Sequence, residues 1–176
     1  CLLFQYAGMS FVDFAHLKER NIKNGILDYN RQKTGTPMRL EILDTAELMR
    51  KELMGDKRPA SGYLFPFLSG TKTGYEAYLE YNAALSRFNR NLKALKKAAG
   101  IASDVPSYTI RHSFAMALKE QNVPIEMISE LLGHKSIKTT QIYLDELDNT
   151  TVDAANEKVA GLLKKNGAGL VKKREK

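Results

Sequence analysis

The sequence predicts a mainly α-helical domain with one small antiparallel sheet, an α+β arrangement. Three observations carry this. Apolar residues recur at spacings of three and four through most of the chain, as in Tyr81, Leu85, Phe88, Leu92, Leu95 and Ala99. Turn signals at Asn24-Gly25 and Thr34-Gly35-Thr36 punctuate a stretch of extended character that ends at Leu43. A chain of 176 residues, 43% of them apolar, can bury one core, and nothing in its length calls for a second domain.

Element by element, Cys1 to Gly8 reads as part of a buried helix, and Ser10 as the N-cap of a second one that reaches Leu17 with Phe11 and Phe14 inward. Past Ile22 the pattern becomes extended: a turn at Asn24-Gly25, a strand from Ile26 to Gln32, and a return strand from Met38 to Leu43. Asp44 and Glu47 predict a capping box for a helix over Thr45 to Met54, closed by Gly55. Asp56 to Gly74 reads as an exposed connection apart from Tyr63-Leu64-Phe65. The longest helix starts at Tyr75 and stops at Gly100, with Arg87, Arg90, Lys93, Lys96 and Lys97 on its solvated face. Pro106-Ser107 opens the next, with Ile110, Phe114 and Leu118 inward. Pro124 to Leu132 follows, stopped by Gly133, and Ser136 caps a helix that carries Tyr143. Thr150 or Thr151 starts an amphipathic helix through Val152, Ala155, Val159 and Leu162, before Asn166-Gly-Ala-Gly169 breaks order.

The net charge of +7 is uneven: Leu163 to Lys176 hold six Lys/Arg against one Glu, which leaves +2 for the rest. Residues 164–176 therefore read as a solvated basic tail, and a nucleic-acid role has to rest on where particular cations sit. One cysteine, Cys1, excludes an internal disulfide and fits a reducing compartment, so a cytoplasmic location is the expectation. The opening segment is too short to span a bilayer, which gives no expectation of a membrane partner. A chain that begins inside an apolar helical pattern without Met reads as a fragment of a longer protein.

Three groups point to chemistry. Ser107-Tyr-Thr-Ile-Arg-His112, Leu132-Gly-His134 and Thr139-Thr-Gln-Ile-Tyr143 place a guanidinium, an imidazole and a phenol on successive helical segments. Arginine grips phosphate through paired N–H bonds, histidine adds a donor, and a phenol in a cationic pocket can act as a covalent nucleophile. Singly, each has a plainer reading: a surface cation, a polar residue beside a helix-stopping glycine, a packed aromatic. Their conjunction is what favours a phosphodiester site. His112 reads as a helix-packing residue that hydrogen-bonds within the fold, and His16 as partly exposed and uninvolved.

At these residues the sequence resembles the catalytic domain of the tyrosine recombinase, or phage integrase, family. That resemblance implies Arg111, His134 and Tyr143 as catalytic residues, with Tyr143 the nucleophile, and Lys33, beside the hairpin turn, as the acid for the departing 5′ oxygen. It implies a site-specific recombinase that cleaves and rejoins double-stranded DNA through a 3′-phosphotyrosine, with no metal and no cofactor. It covers residues 1–163 as the catalytic domain, lacking an N-terminal core-binding domain. Residues 150–163 would pass to a neighbour in a homotetramer on DNA or pack in cis, and the fragment alone would be a monomer. A bacterial, nucleoid-associated protein is implied as well.

Two positions depart from the family pattern. Gly8-Met-Ser10-Phe-Val-Asp13 has Ser10 where the first catalytic arginine is usual, and Tyr108 stands at the usual histidine. Both are similar to a branch carried by mobile elements of anaerobic gut bacteria. A phenol donates a hydrogen bond well but is a poor base near neutral pH, so Tyr108 is expected to position phosphate. A hairpin loop of Thr34-Gly35-Thr36 would pair Lys33 with Pro37 and Arg31 with Arg39, three cations on one face. Like charges opposite each other are unfavourable unless an anion lies between them, so Arg31 or Arg39 is expected to replace the missing arginine. The alternative is a catalytically impaired recombinase, or a helix-turn-helix over Pro124 to Leu147 that binds DNA without cleaving it. The helix-turn-helix gives no reason for Lys33, Arg111 and Tyr143 to occur together.

Overall fold

The computed structural model describes residues 2–54, 61–102 and 105–146. Its first two helices, α1 (Leu2–Gln5) and α2 (Phe11–His16), are too short to persist alone and are held by packing. Between them Ala7 and Gly8 both take positive φ, and the Ser10 hydroxyl accepts from the Asp13 N–H, the N-cap read from the sequence. Leu2, Leu3, Tyr6, Phe11, Phe14 and Ala15 are buried in the larger core.

A three-stranded antiparallel sheet follows in the order β1 (Ile22–Lys23), β2 (Ile26–Asn30), β3 (Pro37–Glu41). Asn24 and Gly25, at φ 51 and 74, make the tight turn that their sequence announces. Leu27 and Tyr29 face the core while Asp28 and Asn30 face solvent, the alternation of a half-buried strand.

The second hairpin differs from the expected register. Asn30 lies opposite Pro37 and Asp28 opposite Arg39. The loop takes six residues, 31–36, because the Gly35 N–H donates to the Arg31 carbonyl (2.8 Å) and the Arg31 N–H to the Thr36 carbonyl (2.9 Å). The expected pairs Lys33 with Pro37 and Arg31 with Arg39 therefore do not form. The slip is an odd number of residues, so Arg31 and Arg39 part: Arg31 is buried, while Arg39 is exposed.

The helices are α3 (Asp44–Met54), α4 (Gly74–Ala98), α5 (Ser107–Glu120), α6 (Ile125–Leu132) and a helix over residues 137–146. The expected capping box at α3 is replaced by another arrangement. The Leu43 carbonyl accepts from Ala46 and Glu47, and the Glu47 carboxylate turns to the Arg50 guanidinium at 2.6 and 2.7 Å. Gly55, the expected stop, lies outside the described residues, as do Cys1, the helix expected over 150–163 and the basic tail. The connection before α4 is anchored rather than free from Leu64 to Leu68: Leu64, Phe65 and Leu68 are buried, and the Phe65 ring stacks on Phe14 at 4.2 Å. On α4, Tyr81, Leu85 and Phe88 pack on the larger core, but Leu95 is 66% exposed. A smaller core joins Ala115 of α5, Ile128 and Leu132 of α6, and Tyr143 and Leu144 of the last described helix. The site lies where these two cores meet.

Candidate active site

Two glycines let the elements close. Gly8 has φ 62, and a Cβ there would stand 2.8 Å from Phe114 Cβ, so only glycine admits α5 against the α1–α2 junction. One turn earlier on α5, Arg111 reaches that junction and donates to the Gly8 carbonyl at 3.2 Å. Gly133, also at φ 62, stops α6, and a Cβ there would lie 2.5 Å from Met38 Sδ and 2.7 Å from Arg31 Cδ. Its bare backbone admits the second hairpin.

The hairpin brings Arg31 beside Arg111. Arg31 Nη1 donates to the carbonyls of Leu132 (2.9 Å) and Gly133 (3.2 Å), and Arg111 Nη2 donates to the same Leu132 oxygen. The end of α6 suits this task, since terminal carbonyls lack helical partners and carry the negative end of the helix dipole. Burial first, and then the Arg31 charge, lowers the Arg111 pKa from its ordinary value. These bonds occupy three donors of Arg31, counting Nε to Asp13, and two of Arg111, out of five on each guanidinium.

Asp13 organises the other side. Its buried carboxylate accepts from the Ser10 hydroxyl (2.6 Å), the Gln32 N–H (2.7 Å) and Arg31 Nε (3.4 Å). The Ser10 hydroxyl is thus spent on Asp13, and the guanidinium of Arg31 occupies the carboxylate's flank. Arg39 is not brought here. It lies opposite Asp28 and lines a cleft with Met127, Glu130 and Leu131. Lys33 is exposed on the loop, two residues beyond Arg31.

The last described helix supplies the phenol. Ser136 caps it, its Oγ accepting from the Lys138 N–H at 3.2 Å, which turns Thr140 and Tyr143 inward. His134 Nδ1 and Thr140 Oγ1 are 2.9 Å apart, and the His134 ring lies edge-on to Tyr143 with centroids 5.7 Å apart. Burial, then Arg111 and Arg31, pushes the His134 pKa down to about 4, so its imidazole is neutral at pH 7. Tyr143 is 9% exposed. Burial, with Tyr108 next, raises its pKa above the ordinary phenol value, and Arg111 opposes that. Tyr108 is 51% exposed, with its ring 6.4 Å from that of Tyr143.

One member was missed in the sequence. His112 Nδ1 is 2.8 Å from the Tyr143 hydroxyl, and the two rings stack at 5.3 Å and 15°. Sequence spacing gave no signal for it, because a histidine beside a buried arginine reads equally well as packing. Among the described residues no group of three or more His, Cys, Asp or Glu is placed to hold a metal ion, and no helix is long and apolar enough to cross a membrane.

A buried phenol lies between two imidazoles, next to two guanidiniums that share an acceptor, an arrangement whose charge and donors suit an anion. The chain belongs to the phage integrase family, whose model matches residues 2–150. It is 50% identical over 54 residues to tyrosine recombinase XerD of Lacticaseibacillus casei, a match that covers 31% of this chain and 18% of that protein. It is 43% identical over 68 residues to a tyrosine recombinase of Thermosipho africanus, covering 39% of this chain and 24% of the relative. Among solved structures, XerA recombinase matches 87% of this chain and 55% of its own with a TM-score of 0.60 at 22% identity. XerH site-specific recombinase bound to palindromic difH substrate in a post-cleavage complex matches 88% of this chain and 44% of its own, with a TM-score of 0.53 at 21% identity. These likenesses establish the fold as that of the tyrosine recombinases, mostly helical with a small antiparallel sheet.

Proposed function

We propose that this domain serves a site-specific DNA recombinase or integrase that cleaves and rejoins double-stranded DNA through a 3′-phosphotyrosine on Tyr143. The observation that carries the reading is the meeting of Arg31 and Arg111 at the Leu132 carbonyl, beside the contacting rings of Tyr143 and His134. Anionic phosphodiester oxygens repel nucleophiles, so converging cations are what the attack needs. Arg31 takes the place of the arginine that Ser10 lacks. With Nδ1 of His134 at Thr140, its Nε2 is left for a phosphate oxygen, offered as a neutral donor. Tyr108 offers a further hydrogen bond to phosphate, and Lys33 protonates the leaving 5′ oxygen. The phosphotyrosine conserves the energy of the broken bond, so rejoining calls for no ATP, and the reading invokes no metal or cofactor. The Tn1549 transposon integrase, whose fold is similar, was solved in complex with a circular intermediate DNA, which supports DNA as the partner. Assembly as a homotetramer on DNA, through residues 150–163, belongs to the same reading.

The test is covalent capture. Full-length protein is incubated with a library of nicked duplexes that lose their 5′ fragment on cleavage, and adducts are resolved on a denaturing gel. An adduct with the parent chain and none with Tyr143→Phe supports the reading. Retention of DNA with no adduct in either would overturn it in favour of a binding module.

A further inference from the structure

The nucleophile needs somewhere to send its proton. A phenol buried this deeply, with its pKa raised by burial, stays protonated, and attack on phosphorus must be accompanied by loss of the Oη proton. The neighbours of that oxygen are few in kind. Tyr108 presents another phenol, Arg111 a guanidinium that cannot accept a proton, and His134 directs Nδ1 to Thr140. His112 is different: its Nδ1 lies 2.8 Å from Tyr143 Oη.

We propose that His112 is the general base of the cleavage step, a catalytic residue beyond the set that the family pattern marks. This rests on the recombinase reading above. As Tyr143 Oη bonds to phosphorus, its proton passes to His112 Nδ1, giving an imidazolium. The P–O5′ bond breaks with its electron pair on the 5′ oxygen, which takes a proton from the Lys33 ammonium. Rejoining runs both transfers backward, so protons balance and no further reactant is needed.

The surroundings suit a base. The imidazole is held from two sides, stacked on Tyr143 at 5.3 Å and met edge-on by Tyr108 at 4.3 Å, which fixes Nδ1 toward Oη. Its titratable and charged neighbours are Tyr108 and Arg111 on α5, and Tyr143 and Glu146 on the helix over 137–146. Burial and the Arg111 charge lower its pKa from 6.5, against Glu146, so the ring is neutral and able to accept at pH 7.

The test compares His112→Asn with the parent. Asparagine keeps an acceptor near the place of Nδ1 but has no basicity. Single-turnover adduct formation is expected to fall roughly 100-fold, as loss of a positioned base does. The parent's rate should also drop in acid, at a pH below the ordinary histidine value because the His112 pKa is lowered, a limb that His112→Asn lacks. A 5′-bridging phosphorothiolate, whose leaving sulfur needs no acid, should rescue Lys33→Ala but not His112→Asn. Imidazole ¹⁵N NMR gives a readout independent of activity and of any folding defect in the variant. In the parent, Nδ1 should be the unprotonated nitrogen, with the His112 pKa rising in Tyr143→Phe as that hydrogen bond is lost. Adduct formation within threefold of the parent with an unchanged pH profile, or a proton on Nδ1, would overturn the proposal. If the parent itself forms no adduct, the recombinase reading is what has failed.

Discussion

Arg31 and Arg111 donate to one oxygen, the carbonyl of Leu132, although they are eighty positions apart along the chain and belong to a β-hairpin and a helix. Two buried cations held at one neutral acceptor repel each other, so an anion that enters between them should bind the folded state selectively. Thermal midpoints measured in sodium sulfate and in sodium chloride of equal ionic strength should differ by roughly 2–4 °C, about 1 kcal/mol for a domain of this size. Arg31→Gln should abolish most of the excess. An equal sulfate effect in both proteins would place it in general salt exclusion instead.

Arg31 and Arg39 should separate cleanly in activity. The first contacts Asp13, Leu132 and Gly133, and the second lies opposite Asp28. Loss of a positioned donor to a developing phosphate charge costs ~100- to 1,000-fold in rate. Arg31→Ala should therefore lose adduct formation on that scale, while Arg39→Ala stays within a few-fold of the parent. The check is single-turnover kinetics on one substrate.

Gly133 and Gly35 share a positive φ but not a neighbourhood. Nothing lies within 4 Å of a Cβ built on Gly35, whereas one on Gly133 meets Met38 Sδ and Arg31 Cδ. Gly35→Ala should cost about 1 kcal/mol of backbone strain, and Gly133→Ala roughly 2–4 kcal/mol, since overpacking adds to the strain. Urea midpoints measure the difference. Gly133→Ala should also weaken anion stabilisation, because Arg31 has to move.

Acid should destabilise the fold through its imidazoles. The folded His134 pKa of about 4 lies below the unfolded value of 6.5, and that of His112 is lowered as well. Between those values the unfolded chain binds more protons, so stability falls as pH drops from about 6.5 toward 4 and the effect levels off below both. Denaturation midpoints across this window should slope less in His134→Gln. An unchanged slope would show that His134 takes up its proton as readily in the folded protein as in the unfolded chain.

Among the described residues, the helices α4 and α6 were legible because they are written twice, in apolar spacing and in their stops. Gly100 and Gly133 end α4 and α6 at positive φ, and Ser10 and Ser136 cap where they were expected to. The sheet's existence was legible from Asn24-Gly25, but its second register was not. Thr34-Gly35-Thr36 looks like a complete turn, and nothing local announces that Gly35 will close back on the Arg31 carbonyl. That bond lengthens the loop and sends Arg31 inward and Arg39 outward. At the site, Tyr143, His134 and Arg111 were visible through motif spacing. The Leu132 and Gly8 carbonyls were not, since a backbone acceptor leaves no trace in residue identity. His112 stayed hidden because its partner lies 31 residues away and only the packed helices show which way its ring turns.

The use of Leu132 has a consequence for how this protein tolerates genetic change. The group that unites the two guanidiniums is part of the peptide unit, which every codon at that position encodes alike. An alanine scan would register at Leu132 the cavity left by a fully buried side chain and pass over its electrostatic duty entirely. Replacing that amide by an ester would not remove the carbonyl either, only weaken it. The neighbouring glycine, which admits the hairpin, is where selection can see the cradle.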